Sequence, residues 1–244
     1  MSTEYTFKQA SLVLVLAAMA AVPASTAIAR QPNIAPIQSH PYGQTYGEWA
    51  ADWWQVALET PAPVNPFTDA GGENCEQGDM GNVWFLFGSL TPDTIIERSC
   101  EIPVGTALFF PILTVFYGAF LDDPADTRTE EFIRQQVECA ETAASTLLFE
   151  FNGEPVPGLD QFFKPPEFFY EVQLPEDNIF GATEDDILEL KLSPSVDAGF
   201  YLLLRPLPPG IYELHWEGSA QGCSFGDFTQ NVTYHLTITP GPRR

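Results

Sequence analysis

Between Thr45 and Pro61 the chain sets Trp49, Trp53 and Trp54 close together, three of its five tryptophans. Burying one side chain of this kind removes on the order of 200 Å² from water. The stretch therefore dictates what the remainder has to supply, an apolar surface broad enough to cover several indoles. Thr45 with Glu48 three positions later forms a capping box, and Trp49, Trp53, Val56 and Ala57 recur at helical spacing until Pro61 stops the helix. This spacing predicts a short amphipathic helix clamped onto a sheet. Trp54 lies off the stripe and faces solvent or a groove, which makes it a candidate platform for a ligand ring.

The first residues read as an export signal. Lys8 precedes an apolar run from Leu12 to Val22, and Ala27-Ile28-Ala29 supplies the small-residue pattern, so residues 1–29 are expected to be a signal peptide cleaved after Ala29. The run is shorter than the ~20 residues of a bilayer span, Pro23 interrupts it, and no later stretch approaches that length. The expected product is secreted, extracellular or periplasmic, with no membrane span. Residues 30–43, rich in Pro, Gln and Ser, read as an extended arm, and residues 44–240 as one domain.

The chain of 244 residues carries 33 acidic against 10 basic side chains, a formal charge of −23. That charge opposes nucleic acid and anionic membranes and leaves cations, neutral polymers or simple solubility; the expected partner is a neutral glycan or a protein. Hydrophobic residues at 45% exclude a disordered chain. Cys75, Cys100, Cys139 and Cys223 form an even set behind an export signal with no Cys-x-x-Cys, which reads as disulfides. Cys75 and Cys100 flank an expected hairpin, so the favoured pairs are Cys75 with Cys100 and Cys139 with Cys223.

Short apolar runs bounded by turn residues predict strands at 83–88, 95–102, 107–116, 147–151, 154–156, 172–174, 187–192, 200–204, 210–216 and 230–239. Pro103-Val104-Gly105 reads as a hairpin-like link. Asn152-Gly153 is the strongest tight-hairpin signal, and Pro155 marks the returning strand as an edge. A second helix is expected over 128–144, opened by Thr127 with Glu130. Many short strands with only two helices predict a mainly β fold, an antiparallel β-sandwich of jelly-roll type with two short helices packed on it.

The blocks Gly47-Glu48-Trp49 to Trp54, Val83-Trp84-Phe85-Leu86, Leu174 to Gly181, Pro206 to Gly210 and Val232-Thr233-Tyr234 resemble a group of uncharacterised secreted bacterial proteins. These share a Trp-rich N-terminal helix and a sandwich-like C-terminal half. The resemblance spans most of the expected mature chain and implies export and a single β-rich domain; it carries no catalytic residue over.

Three sets of side chains could carry chemistry. Trp54, Phe168, Phe169 and Tyr170 are the stacking candidates for a glycan. Glu184, Asp186 and Glu189 match Glu-x-Asp-x-x-Glu, the carboxylate arrangement that a retaining glycosidase presents from one strand, with one group attacking and one protonating. Asp69, Glu73 and Asp79, in a glycine-rich loop tied by Cys75, offer hard oxygens for a structural calcium ion, without EF-hand spacing. Otherwise no cofactor is expected. His40, His215 and His235 are too scattered for a zinc centre, and no Gly-x-Ser-x-Gly elbow or phosphate-cradling loop occurs. The leading expectation is a non-catalytic binding or structural surface protein, and the alternative is a glycoside hydrolase.

Overall fold

The structure is a computed structural model that describes residues 31–223 and 226–241. The expected signal peptide lies outside the described residues. Among the described residues ten strands form two five-stranded sheets. The first contains β1 (Val83–Phe85), β3 (Ala107–Phe120), β8 (Lys191–Leu204) and β6 (Phe163–Lys164) in that order, with β7 (Phe169–Gln173) also paired to β8. The second runs β2 (Thr94–Pro103), β10 (Gly226–Thr239), β9 (Gly210–Cys223), β4 (Ala144–Phe151), β5 (Glu154–Pro155).

Leu108, Phe110, Leu202 and Leu204 of the first sheet meet Phe149, Trp216, Val232 and Leu236 of the second in one core. On its other face the first sheet is covered by α1 (Tyr46–Glu59), and farther along by α2 (Glu130–Val137) against Val115, Val196 and Ala198. This double cover explains why β3 reads as an unbroken apolar run. Among the described residues no helix is long and apolar enough to cross a membrane.

The fold is mainly β, but its sheets are mixed rather than purely antiparallel. β1 pairs with β3 and β2 with β10 in parallel. The expected hairpin at Pro103–Gly105 is instead a crossing between sheets, with β2 in the second and β3 in the first. Alternation along a strand reports which face is buried, not which strand lies alongside, so adjacency in sequence does not give adjacency in the sheet. The Asn152-Gly153 hairpin forms as expected, with both residues at positive φ (53° and 76°) and Pro155 on the edge strand.

Several boundaries differ from the sequence reading. The second helix begins after Thr129, whose hydroxyl accepts from Phe132 N, and ends at Val137. A separate short helix, α3, covers Cys139–Thr142, and Ala144 already belongs to β4. The expected strand at 187–192 is a set of turns up to Leu190. Beyond it, β8 runs unbroken through Ser193-Pro194-Ser195 and Asp197, which lie between the two strands expected at 187–192 and 200–204. The arm is also tied down: Ala35 N donates to Leu203 O, and the Tyr46 hydroxyl donates to Ala35 O at 2.6 Å. Cys75 and Cys100 are disulfide-bonded, Cys139 is also in a disulfide, and the side chain of Cys223 lies outside the described residues.

Candidate functional site

The capping box forms as read, with Thr45 and Glu48 bonded in both directions, and it fixes the start and rotation of α1. That rotation buries Trp49, Trp53 and Trp54 together. The Trp53 ring stacks on Phe87 at 5.0 Å, and its Nε1 donates to Leu86 O at 3.0 Å. Trp54, off the stripe, stacks on Phe116 at 4.8 Å, and its Nε1 donates to the Tyr201 hydroxyl at 3.1 Å. The two indoles meet edge to face, and beside them opens a pocket of about 310 Å³.

Its wall is aromatic, from Trp53, Trp54, Phe67, Phe116, Phe180 and Phe228, with Ser89, Thr114 and Gln230 as polar points. Two apolar side chains at the pocket are left in water, Leu90 at 39% and Phe180 at 54% exposure. Elsewhere, single exposed apolar residues are ordinary. Here two share the lining of one cavity.

Polar clamps hold the walls. Arg98 points inward from β2 and is buried. Its guanidinium donates to the carbonyls of Asp69, Phe87 and Gly88 and to the Tyr234 hydroxyl. Tyr234 in turn accepts from Phe87 N and donates to Phe87 O, both at 3.0 Å. Phe87 and Gly88, which lead from β1 into the pocket-lining segment 88–90, are thus fixed without a ladder. Across the cavity Gln230 donates to Ile112 O at the bulge of β3. A side chain at Gly88 would collide with the Gln230 amide, so only glycine lets the wall approach this closely.

Under the Trp54 wall lies a buried polar network. Tyr201 donates to Asp197 Oδ2 at 2.6 Å and contacts Thr114 Oγ1 at 2.5 Å. Tyr170 donates to Asp197 Oδ1 at 3.1 Å, and Lys164 Nζ stands 3.0 Å from the same oxygen. Burial first, and the charge of Asp197 second, push both phenols well above the usual tyrosine range.

The stacking candidates therefore divide. Trp54 lines the apolar pocket, and Tyr170 sits in the network. Phe168, 38% exposed, stacks on Tyr170 beside Phe169, over which Arg134 lies at 5.1 Å. Phe168, Phe169 and Tyr170 border a separate groove with Gln44, Asp52 and Gln55 of the α1 side.

Glu184, Asp186 and Glu189 are exposed and do not share a strand face. Asp186 caps Thr183 through its backbone and hydroxyl, bonds that hold its carboxyl below the usual range, and Glu189 sits at φ 58° in a 3-10 turn. In the glycine-rich loop Asp69 accepts from the N–H groups of Gly72, Glu73 and Asn74. Burial opposes its charge most, but these bonds and nearby Arg98 together hold its carboxyl low. Glu73 accepts from Gly71 N and Asp79 from Gly81 N. Among the described residues no group of three or more His, Cys, Asp or Glu side chains could hold a metal ion. His215 and His235 instead contact Glu217, Glu97 and Glu213 on the outer face of the second sheet.

Sequence reasoning missed Arg98, Lys164, Asp197, Tyr201 and Gln230. The available signal was scarcity: Lys164 is one of three lysines in the chain, set between aromatics and prolines.

Compared with known proteins, no family model matches the chain, and no curated protein matches it. A solved structure described as "Structure of PbICP-C in complex with falcipain-2" is similar over 65% of this chain and 100% of that chain, at 11% identity and a TM-score of 0.25. A likeness of that size carries no argument about fold or function.

Proposed function

We propose that this chain is an exported, disulfide-bonded binding protein that leaves its ligand unchanged, and that the pocket beside Trp53 and Trp54 seats a small, flat, largely apolar ligand. The observation that carries the reading is that pocket: an aromatic wall, three polar points and two exposed apolar residues. Ligand sites are mostly apolar cavities of roughly 300–1,000 Å³ with a few placed polar groups, so this one suits a molecule of one or two ring systems. The charge of −23 favours neutral or cationic ligands over anions.

The test uses N-phenyl-1-naphthylamine, a neutral two-ring-system probe whose emission rises in apolar surroundings. Saturable one-to-one binding, weakened at least tenfold by Leu90→Glu, supports the reading. Non-saturable uptake, or binding that Leu90→Glu leaves unchanged, overturns it. A second reading, a neutral sugar in the groove beside α1, is favoured by the exposed face of Phe168 next to Gln44, Asp52 and Gln55. Retention on a glycan array that Phe168→Ala abolishes supports it, and no retention removes it.

A further inference from the structure

Lys164 is buried to 3% exposure and Asp197 to 0%. Their meeting follows from register. β6 pairs Lys164 with Gly199, and Asp197 lies two residues earlier on β8, so the two side chains leave the sheet on one face as diagonal neighbours. Nζ is 3.0 Å from Asp197 Oδ1 and donates to Asp197 O at 2.5 Å. Both carboxylate oxygens also receive a phenol, Tyr170 on Oδ1 and Tyr201 on Oδ2. The raised pKa of each phenol, from burial and then from the Asp197 charge, keeps it a donor.

We infer that Lys164 and Asp197 form a modification site, where amine and carboxyl condense into an intramolecular amide that joins β6 to β8. The ammonium first gives one proton to the carboxylate, leaving an amine and a carboxylic acid. The Nζ lone pair then attacks Cγ, a C–N bond forms, and the carbonyl π pair moves onto oxygen. The phenol donors stabilise that oxyanion, since they already point at the atoms where the charge develops. A second proton passes from nitrogen to the departing hydroxyl, the oxyanion pair re-forms the C=O bond as the C–O bond breaks, and one water leaves.

The products are an amide and water, with nothing oxidised or reduced. Holding the amine against the acid supplies the proximity that makes such a condensation effectively unimolecular. Burial also favours the product, because an ion pair is costly in the interior and an amide carries no charge. Lys164 borders a groove with Gly47 and Phe168, which gives the released water an exit. The bond would secure β6, a strand of only two residues.

The experiment is the intact mass of the purified protein after disulfide reduction, with its N-terminus determined, followed by proteolytic mapping. The expected mass is lower than the sequence mass by one water, and the digest contains a branched peptide joining Lys164 to Asp197. Lys164→Arg keeps the positive charge but has no primary amine, and is expected to show the full mass. A full wild-type mass without the branched peptide overturns the assignment, as does a water loss that maps to any other residue. The wild-type digest decides the matter by itself should the variant fail to fold.

Discussion

Replacing Trp53 by alanine tests whether α1 is the element the first sheet is built to cover. The Trp53 side chain is fully buried, stacked on Phe87 at 5.0 Å and edge-on to Trp54 at 5.1 Å and Phe67 at 5.6 Å. Truncating such an aromatic costs about 3–5 kcal/mol. Removing Nε1 also leaves Leu86 O without its donor, a further cost of about 1 kcal/mol. The adjoining pocket offsets part of this, because it can widen inward and admit water to the stranded carbonyl. A net loss of about 4 kcal/mol follows from these terms.

For a chain of this size that loss lowers Tm by roughly 8–16 °C. The assay is urea unfolding with disulfides intact, read as a lower midpoint at constant m, together with calorimetry. Trp53→Phe keeps a ring but no donor and should cost about 1–2 kcal/mol. A Trp53→Ala loss below about 1.5 kcal/mol, or equal losses for the two variants, refutes the reasoning.

Arg98→Met removes the donors that hold the carbonyls of Asp69, Phe87 and Gly88 and should cost about 2–4 kcal/mol; urea midpoints check this, and a neutral or stabilising result contradicts the clamp. Tyr46, Tyr170 and Tyr201 all have raised pKa values, chiefly from burial. Their contribution is complete below the unfolded value of about 10 and is lost as pH rises toward the folded values. These three tyrosines should therefore form phenolate only as the protein unfolds, and their free titration in the folded state contradicts their burial. Asp69, whose folded pKa is lowered, contributes stability above the unfolded value of about 3.9 that is lost as pH falls. Asp69→Asn should lower stability at neutral pH and flatten the acid dependence, and unchanged acid unfolding refutes that role.

Much of the fold was legible because periodicity reports burial directly. The capping box at Thr45, the turn at Asn152-Gly153 and the alternation Val232, Tyr234, Leu236, Ile238 all stand where local chemistry puts them. Strand partners were not legible. The parallel pairs β1 with β3 and β2 with β10 join segments separated by a strand of the other sheet or by most of the chain, and no local residue encodes that. The length of β8 was hidden for a different reason. Ser195 and Asp197 look like turn residues, yet both are buried, and Asp197 is held by Lys164, Tyr170 and Tyr201, two of them from outside β8. The pocket was half visible: Trp54 off the helical stripe signalled a groove, while Phe67, Phe116, Phe180 and Phe228 converge on it only in three dimensions. The motif at Glu184 showed how a spacing can match while the backbone does not, since a strand was needed and turns are present.

The most direct test of the binding account is the indole N–H spectrum of the folded protein, titrated with N-phenyl-1-naphthylamine. Trp53 and Trp54 line the pocket, whereas Trp84 and Trp216 lie in the core between the sheets. The account predicts saturable shifts of the Trp53 and Trp54 signals with Trp84 and Trp216 unmoved. Shifts spread over all the indoles, or none at Trp53 and Trp54 while the probe binds, would contradict it.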